Sequence, residues 1–328
     1  MKKMAEWPRI TLVTPSYNQG QFLEETICSV LQQDYPNLEH IIIDAGSTDE
    51  SVEVIKKYAP HLSYWISEKD NGQSDALNKG FAKATGIIAG WLNADDVLKP
   101  GALGQIATYF STHPECCFLT GDGVFVNETR MKDFHYQQAG PYTFRELLNY
   151  PGGQYLPQPS VFFTLDLLRK VGPINANLHY AMDLDLWLRM RAETTLHYIP
   201  YCLSELRQHN TAKTLLENEV AMQEVGQVIE HHAGRLPPEK ASQTGVHTYL
   251  PLILYVLLIR ARMRRLRARN SFQRALPAHL DGDYTAAWSS AARALALYPP
   301  VIASSLAGRV LLRLVMPGFL KARLFNRP

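Results

Sequence analysis

Residues 87–96 read IIAGWLNADD, an apolar run that ends in an asparagine and two adjacent carboxylates. The part Ile87–Leu92 predicts a buried β-strand, since it is short and is followed at once by polar residues typical of turns. Towards the N-terminus, segments with helical spacing separate three similar apolar runs: Ile10–Val13, Ile41–Ile43 and Leu62–Ile66. This alternation predicts an α/β fold, with a parallel sheet and helices on both of its faces.

Carboxylates follow the predicted strands. Asp44 and Asp49 come after the second run, Asp70 after the third, and Asp95 and Asp96 after the fourth. Sheets of this kind bind ligands at the carboxyl ends of their strands. Adjacent carboxylates suit a divalent metal, Mg²⁺ or Mn²⁺, which takes oxygen ligands and completes its shell with phosphates and water. Each of these residues alone is equally compatible with a turn or a helix cap.

The glycine pattern excludes two common nucleotide sites. Gly46, Gly72, Gly80 and Gly86 form neither GxGxxG nor GxxxxGK[ST], so the dinucleotide fingerprint and the P-loop are both absent. The formal net charge of +2 gives no reason to expect nucleic acid as a partner.

The cysteines and the apolar runs of the sequence indicate the cellular compartment of the protein. The four cysteines form no CxxC pair, which indicates reduced thiols in a cytosolic protein. The N-terminus has no apolar run typical of a signal peptide. The longest apolar stretch, Leu250–Ile259, falls short of the ~20 residues that span a bilayer. We therefore expect a cytoplasmic protein.

Six short segments carry a more specific signal through their order and spacing. They are TPSYN (Thr14–Asn18), DAGSTD (Asp44–Asp49), SEKDNGQSDALNKG (Ser67–Gly80), WLNADD (Trp91–Asp96), QPSVFF (Gln158–Phe163) and MDLDLWLR (Met182–Arg189). Together they resemble family 2 glycosyltransferases of the A-type glycosyltransferase fold. The resemblance covers roughly residues 8–210. It implies a nucleotide-binding, mostly parallel sheet flanked by helices, and a nucleotide-sugar-dependent enzyme.

The resemblance also implies roles for single residues. Asp44 is expected to bind the nucleobase, with uracil favoured. The nucleotide-sugar site as a whole is expected to be lined by Thr14, Pro15, Tyr17, Asp44, Asp70, Gln73, Asn93 and Asp95. A divalent metal is expected at Asp95, Asp96 and His209.

The catalytic base implied by the resemblance is Asp183, and Asp185 is the second candidate because MDLDLW contains two acids. The reaction implied is a single displacement that inverts the anomeric carbon. The acceptor is expected to be a glycan or a lipid-linked glycan. Three departures from the family pattern are Ala45 inside DAGSTD, NADD in place of a strict DXD, and the absence of QxxRW. The last argues for transfer of one sugar per encounter.

Two local questions stay open from the sequence. Arg207 and His209, in LRQHN, either lie near the diphosphate or belong to a solvated loop. Trp187 either faces the acceptor or, as is more common at helical spacing, packs in the core.

The chain changes character near residues 236–245. Before that point, helices are predicted over Leu184–Met190 and Lys213–His232. Short strands are predicted over Phe118–Thr120, Val124–Val126, Ser160–Phe163 and Leu196–Ile199. We expect a catalytic domain over residues 1–236 and an α-helical C-terminal region over residues 237–328.

The C-terminal region allows several interpretations. Its Arg-rich segment, residues 260–269, suits a helix packed on the catalytic domain or one lying on an anionic membrane surface, as for a peripheral protein at the inner face of the plasma membrane. Residues 281–300 resemble one helical-hairpin repeat. Two rival functions remain for the whole chain. One is a sugar nucleotidyltransferase, which lacks support because its Gly- and Arg-rich loop is not found. The other is an inactive adaptor that binds partners through its helical tail.

Overall fold

The computed structural model of the 328-residue chain describes residues 7–128, 132–136, 142–148, 150, 156–209 and 218–233. The chain divides into two compact units, Met1–Glu217 and Asn218–Pro328. The predicted boundary near residue 236, the C-terminal region 237–328 and its Arg-rich segment lie outside the described residues and stay predictions.

The first unit is built on one mixed sheet. Its strands are β1 (Ile10–Ser16), β2 (Leu38–Asp44), β3 (Tyr64–Ser67), β4 (Ile88–Trp91), β5 (Val97–Leu98), β6 (Phe118–Asn127), β7 (Lys132–Tyr136), β8 (Val161–Thr164) and β9 (His197–Gln208). They lie in the order β3-β2-β1-β4-β8-β6-β9-β5, and β7 pairs with β6. The first four are mutually parallel, while β8 runs antiparallel to β4 and β6. The predicted α/β architecture is confirmed.

The chain reverses its direction of travel across the sheet at β1. The strands β1, β2 and β3 succeed one another towards one edge, and β4 then pairs with β1 on its other side. Such a switch point opens a crevice outside the carboxyl ends of the strands, where ligands of open α/β sheets bind. The crevice lies where β1 ends at Ser16 and β4 ends at Trp91.

Helices cover both faces of the parallel strands. The helices of the first unit are α1 (Gly20–Leu31), α2 (Ser51–Tyr58), α3 (Gln73–Lys83), α4 (Ala102–Thr112), α5 (Phe144–Leu147), α6 (Leu165–Val171) and α7 (Met182–Glu193). Ile42 packs in one core cluster with residues of α1 and α2. Its neighbour Ile43 points to the other face, as successive strand residues do. There a Cβ on Gly80 would lie 2.4 Å from Val13, so glycine lets α3 approach the sheet.

Two strands extend further than the sequence predicts. Phe118–Thr120 and Val124–Val126 belong to one strand, β6, rather than to two. Gly121 and Gly123 interrupt the apolar pattern there, and the register with β9 shifts at the same place. The strand β9 continues well beyond the predicted Leu196–Ile199 and pairs with β5 at Val97 and Leu98. This pairing brings the residues after β9 to the turn between β4 and β5.

Of the second unit, the structure describes one helix, α8 (Asn218–Ala233). Its buried apolar residues Ala221, Val225, Val228 and Ile229 recur at helical spacing. This confirms the described part of the helix predicted over Lys213–His232. Within the described residues, no helix is long and apolar enough to cross a membrane.

Candidate active site

Asp95 and His209 meet at the switch point of the sheet. The imidazole Nε2 of His209 lies 2.9 Å from the Asp95 carboxylate Oδ2, although 114 residues separate them in sequence. The β5–β9 pairing creates this contact, because Asp95 stands just before β5 and His209 just after β9. His209 is 3% exposed and Arg207 is 8% exposed, so the solvated-loop interpretation of these two residues is wrong.

The pair fits a divalent metal bound together with phosphate oxygens. Ligands in adjacent positions of an octahedral ion, each about 2.1 Å away, are about 3 Å apart, which is the separation seen between Asp95 and His209. The described residues hold no cluster of three or more His, Cys, Asp or Glu side chains suited to a metal. The protein would therefore supply two ligands, and the diphosphate and water the others.

Asp96 is engaged within the protein. Its Oδ1 accepts a hydrogen bond from the Arg207 backbone N–H at 3.0 Å, and its Oδ2 accepts one from the Asn93 amide at 3.2 Å. Thr26 donates to the carbonyl oxygen of Asp96 at 2.8 Å. Burial, and then the neighbouring charge of Asp95, raise the pKa of the Asp96 carboxyl well above its ordinary value. Of the two adjacent acids, Asp95 is the one whose carboxylate faces an imidazole.

A hydrogen-bonded chain joins three elements beside this turn. The Gln73 amide at the start of α3 donates to the Asn93 side-chain oxygen at 2.8 Å. Asn93 donates to the Gln158 side-chain oxygen at 3.1 Å, and Gln158 donates to the Trp91 carbonyl at 2.8 Å. Two residues expected at the nucleotide-sugar site, Gln73 and Asn93, are thus in direct contact.

Asp44 shapes the loop after β2. Its carboxylate is fully buried, and its Oδ2 accepts hydrogen bonds from the Ser67 hydroxyl at 2.6 Å and from the backbone N–H groups of Gly46 and Ser47 at 3.1 and 2.9 Å. Its Oδ1 accepts a bond from the Ser47 hydroxyl at 2.5 Å. Oδ1 accepts one hydrogen bond and Oδ2 accepts three, so Oδ1 is the oxygen with more capacity to accept another bond.

Asp70 has an unsatisfied oxygen at the same edge of the sheet. Its Oδ1 accepts the Gly72 N–H at 2.8 Å, while its Oδ2 is buried and has no hydrogen-bond partner among the described residues. Burial raises the pKa of this carboxyl. An orphaned buried acceptor costs roughly 1–3 kcal/mol, so a hydrogen-bond donor on a ligand would be stabilised here.

The end of β1 contributes three of the expected residues. Thr14 and Pro15 lie beside Ile42 and Ile43 of β2, and Tyr17, just after the strand, is 60% exposed. Thr14 Oγ1 lies 3.0 Å from His40 Nε2. Sequence reasoning missed His40, whose only signal is a histidine inside the apolar strand LEHIIID. Its complete burial lowers the pKa of His40 to about 4.

The two candidate bases differ in their surroundings. Asp185 is buried and forms an ion pair at 2.9 Å with Arg189, whose guanidinium also donates to the carbonyl oxygens of residues 171, 172 and 173. Arg189, which Asp185 orients, thereby joins α7 to the end of α6. Asp183 lies in the first turn of α7 and is only partly buried.

Contacts with the sheet and with α3 fix α7 in place. Trp187 stacks on Trp91 with ring centroids 5.0 Å apart and is buried, which confirms its place in the core. Before α7, Asn78 of α3 exchanges two hydrogen bonds, at 2.8 and 2.9 Å, with the backbone of Ile174. The Ser74 hydroxyl donates to the Leu178 carbonyl at 2.8 Å. The helix that carries Asp183 is therefore held to the elements that carry Gln73 and Asp95.

Sequence comparison groups this chain with known glycosyltransferases. The profile of Glycosyl transferase family 2 matches residues 11–172. An uncharacterized glycosyltransferase of Mycobacterium tuberculosis is 32% identical over 190 residues, which are 57% of this chain and 70% of the relative. A PGL/p-HBAD biosynthesis glycosyltransferase of Mycobacterium bovis is 25% identical over 186 residues, 56% of this chain and 69% of the relative.

Solved structures share the fold at low sequence identity. TarS 1–349 of S. aureus, in complex with UDP-GlcNAc, has a TM-score of 0.61 at 15% identity, over 90% of this chain and 83% of that one. The mannosyltransferase PcManGT of Pyrobaculum calidifontis, in complex with GDP-Man and Mn²⁺, has a TM-score of 0.55 at 20% identity, over 98% and 82%. The chain thus belongs to glycosyltransferase family 2 and has the A-type glycosyltransferase fold.

Proposed function

We propose that this chain transfers a sugar from a UDP-linked donor to a hydroxyl of a glycan or lipid-linked glycan, with inversion of the anomeric carbon. The observation that carries the proposal is the Asp95–His209 pair, 2.9 Å apart at the switch point of a family 2 glycosyltransferase. Family membership also argues against the sugar nucleotidyltransferase alternative.

The metal proposed for the pair is Mn²⁺. Mg²⁺ strongly prefers oxygen ligands, whereas Mn²⁺ accepts an imidazole nitrogen together with a carboxylate. The structural neighbour PcManGT was solved with Mn²⁺. When bound, the ion would neutralise the negative charge that develops on the departing diphosphate. The oxygens of Asp96 accept bonds from Arg207 and Asn93. We therefore propose that Asp96 stabilises the turn that carries Asp95 and is not itself the main metal ligand.

The donor is proposed to lie against the ends of β1, β2 and β3. Asp44 Oδ1, which accepts a single hydrogen bond within the protein, and the orphaned Asp70 Oδ2 would accept N–H or O–H donors of the nucleoside. Uracil carries one ring N–H next to two carbonyls, which suits a single carboxylate acceptor. Tyr17, exposed at this edge, would offer its ring or hydroxyl, with Thr14 and Pro15 as the wall beneath.

Asp183 is proposed as the general base. It lies near the helix N-terminus and is partly exposed, whereas Asp185 is engaged by Arg189. Asp183 would take the proton of the acceptor hydroxyl while that oxygen attacks the anomeric carbon and the diphosphate leaves. General base catalysis of this kind contributes about 10²–10⁴-fold to the rate. One displacement inverts the configuration.

The test is thermal stabilisation by UDP, GDP and their sugar conjugates, with and without Mn²⁺. We expect UDP compounds to raise the melting temperature only when Mn²⁺ is present, because a ligand of the folded state stabilises that state. Asp95→Asn should lose the Mn²⁺-dependent part and keep the fold. Asp34→Asn, a turn residue outside the site, serves as the matched control. If no nucleotide stabilises the wild type, the proposed donor site is contradicted, and the result favours the alternative of an inactive adaptor.

The acceptor class, a cytoplasmic location and attachment to a membrane surface stay predictions from the sequence.

A further inference from the structure

Arg207 is a buried cation at the end of β9, two residues before His209. Its side chain is 4% exposed. A guanidinium remains protonated in proteins, so burying one is costly unless several acceptors surround it. The identity of those acceptors therefore indicates what the residue does.

The guanidinium connects three separate segments. Its Nε donates to the carbonyl oxygen of Asp95 at 3.0 Å, and its Nη1 donates to the carbonyl oxygen of Glu128 at 2.8 Å. Its Nη2 forms an ion pair with the Glu25 carboxylate of α1. The backbone N–H of Arg207 donates to Asp96. Arg207 thus holds both residues of the acidic turn, one through its side chain and one through its main chain.

The aromatic ring of Phe22 extends this set of contacts to His209. The Arg207 guanidinium carbon lies 4.8 Å from the centroid of the Phe22 ring, and that ring lies 4.7 Å from the centroid of the His209 imidazole. Phe22 and Glu25 are three residues apart on α1, so they project from one face of the helix. The face they form contacts Arg207 directly and His209 through the ring.

These contacts do not leave Arg207 oriented as a ligand of the diphosphate. Each of its three guanidinium nitrogens already donates to an acceptor within the protein, and the side chain is only 4% exposed, so the two remaining N–H groups are largely shielded from a ligand. A planar fork that reaches three acceptors in three directions is a geometry that lysine cannot reproduce.

We infer that Arg207 and Glu25 are positioning residues for the cation site of Asp95 and His209. Arg207 fixes the Asp95 main chain and, through Phe22, lies next to the His209 ring, while the Glu25 carboxylate fixes the guanidinium. The inference rests on the metal site proposed above. Neither residue is a ligand of the ion, so their effect would appear as a change in affinity for the metal.

The effect expected is that of an outer-shell partner. Replacing residues that orient metal ligands lowers metal affinity by about 10–100-fold. Glu25→Gln keeps the size of the side chain and removes its charge, so we expect Mn²⁺ affinity to fall about tenfold. Arg207→Lys keeps the charge and removes the fork, and it should lower the affinity at least as much.

The chain offers a matched control on the same helix. Glu24 is the neighbour of Glu25 on α1 and also forms an ion pair, with Lys57 at 2.5 Å, and its carboxylate accepts a second bond from Tyr58 of the same helix, α2. Glu24→Gln therefore removes one charge and one ion pair from α1 without touching the site.

The experiment titrates the full chain with Mn²⁺, alone and with UDP or GDP present, and follows free Mn²⁺ by electron paramagnetic resonance. The variants are Glu25→Gln, Arg207→Lys, the double variant and Glu24→Gln. Urea unfolding of each reports whether the fold is kept. If Glu25 acts through Arg207, the double variant should bind Mn²⁺ no more weakly than Arg207→Lys alone, because the partner of Glu25 is already altered.

The outcomes separate the inference from the proposed function. Weaker Mn²⁺ binding by Glu25→Gln, with Glu24→Gln equal to the wild type, supports the inference. Equal Mn²⁺ affinity for Glu25→Gln and Glu24→Gln overturns it and leaves the metal site intact. Losses that simply add in the double variant overturn the route through Arg207. A wild type that binds no Mn²⁺ under any of these conditions overturns the metal site itself, and the inference with it.

Discussion

The turn after β4 and the first turn of α7 each carry two acids, and in both places the two acids have different surroundings. Asp96 accepts bonds from Arg207 and Asn93, and Asp185 forms an ion pair with Arg189. Asp95 instead contacts an imidazole, and Asp183 is partly exposed. In each pair one acid accepts a hydrogen bond from an N–H group of an arginine, and the other is the acid that we propose for the chemistry.

The buried acid of each pair differs from its neighbour in the hydrogen-bond donors that surround it. A carboxylate buried in a protein needs donors around it. The Arg207 backbone N–H and the Asn93 amide donate to Asp96, and the Arg189 guanidinium donates to Asp185. Arg189 stands four residues after Asp185 within MDLDLWLR, whereas Arg207 lies 111 residues after Asp96. The arginine therefore comes from the same helix at α7 and from a distant segment at the turn after β4.

The largest effect is expected from removing the carboxylate of Asp183 in α7. Asp183→Asn should lower sugar transfer by about 10²–10⁴-fold, because the proton acceptor is removed while the shape is kept. Mn²⁺-dependent stabilisation by UDP should stay unchanged. Release of nucleoside diphosphate, measured with the acceptor that supports wild-type turnover, checks the rate.

The contrasting variant at the same turn is Asp185→Asn. If Asp185→Asn abolishes transfer with its fold intact while Asp183→Asn remains active, the assignment of the base is reversed. If both variants stay active, neither acid is the base.

A second prediction concerns stability at the same pair. Asp185→Ala should lower the free energy of unfolding by about 3 kcal/mol, because it leaves the Arg189 guanidinium without its carboxylate in a largely buried place. Asp183→Ala should change it by less than about 1 kcal/mol, as is usual for a partly exposed residue. Urea unfolding followed by circular dichroism measures both. Similar losses for the two variants would remove the distinction between them.

A third, smaller effect contrasts two histidines of the site. His209 is paired with Asp95, whereas the ring of His40 is buried with Nδ1 unpartnered among the described residues, and its pKa is lowered to about 4. The unfolded chain binds a proton at His40 near pH 6.5, and the folded chain does so only near pH 4. The contribution of His40 to the free energy of unfolding is therefore highest above pH 6.5, where the ring is neutral in both states. It decreases as the pH falls from 6.5 towards 4.

One proton taken up only by the unfolded chain corresponds to about 1.4 kcal/mol per pH unit in that window. His40→Gln should remove this slope, which unfolding at pH 6.5, 5.5 and 4.5 measures as the difference between wild type and variant. An unchanged slope in the variant would show that His40 is not the group responsible.

The local parts of the fold could be predicted from the sequence. Short apolar runs predicted β1, β2, β3 and β4, and the helical segments between them predicted their parallel pairing. The full lengths of β6 and β9 could not be predicted. Their residues include Gly121, Gly123 and several polar side chains, and their strand conformation depends on pairing with distant strands.

The candidate site divides in the same way. Asp44, Asp70 and Asp95 could be identified as site candidates because each lies within four residues of the end of a predicted strand, and strand ends of a parallel sheet share one edge. The partnership of Asp95 with His209 could not be derived from spacing, because it depends on β9 returning beside β5 more than a hundred residues later.

The sequence alone determined the family, the parallel half of the sheet and the small set of acids that compete for the chemistry. These follow from local patterns, since strand runs, turns and motifs are encoded by residues close to one another in the chain. Only the tertiary structure decided that Asp96 accepts a bond from Arg207 and that Arg207 is buried against α1. Ion pairs and burial depend on distances between segments, and only the packed sheet fixes those distances.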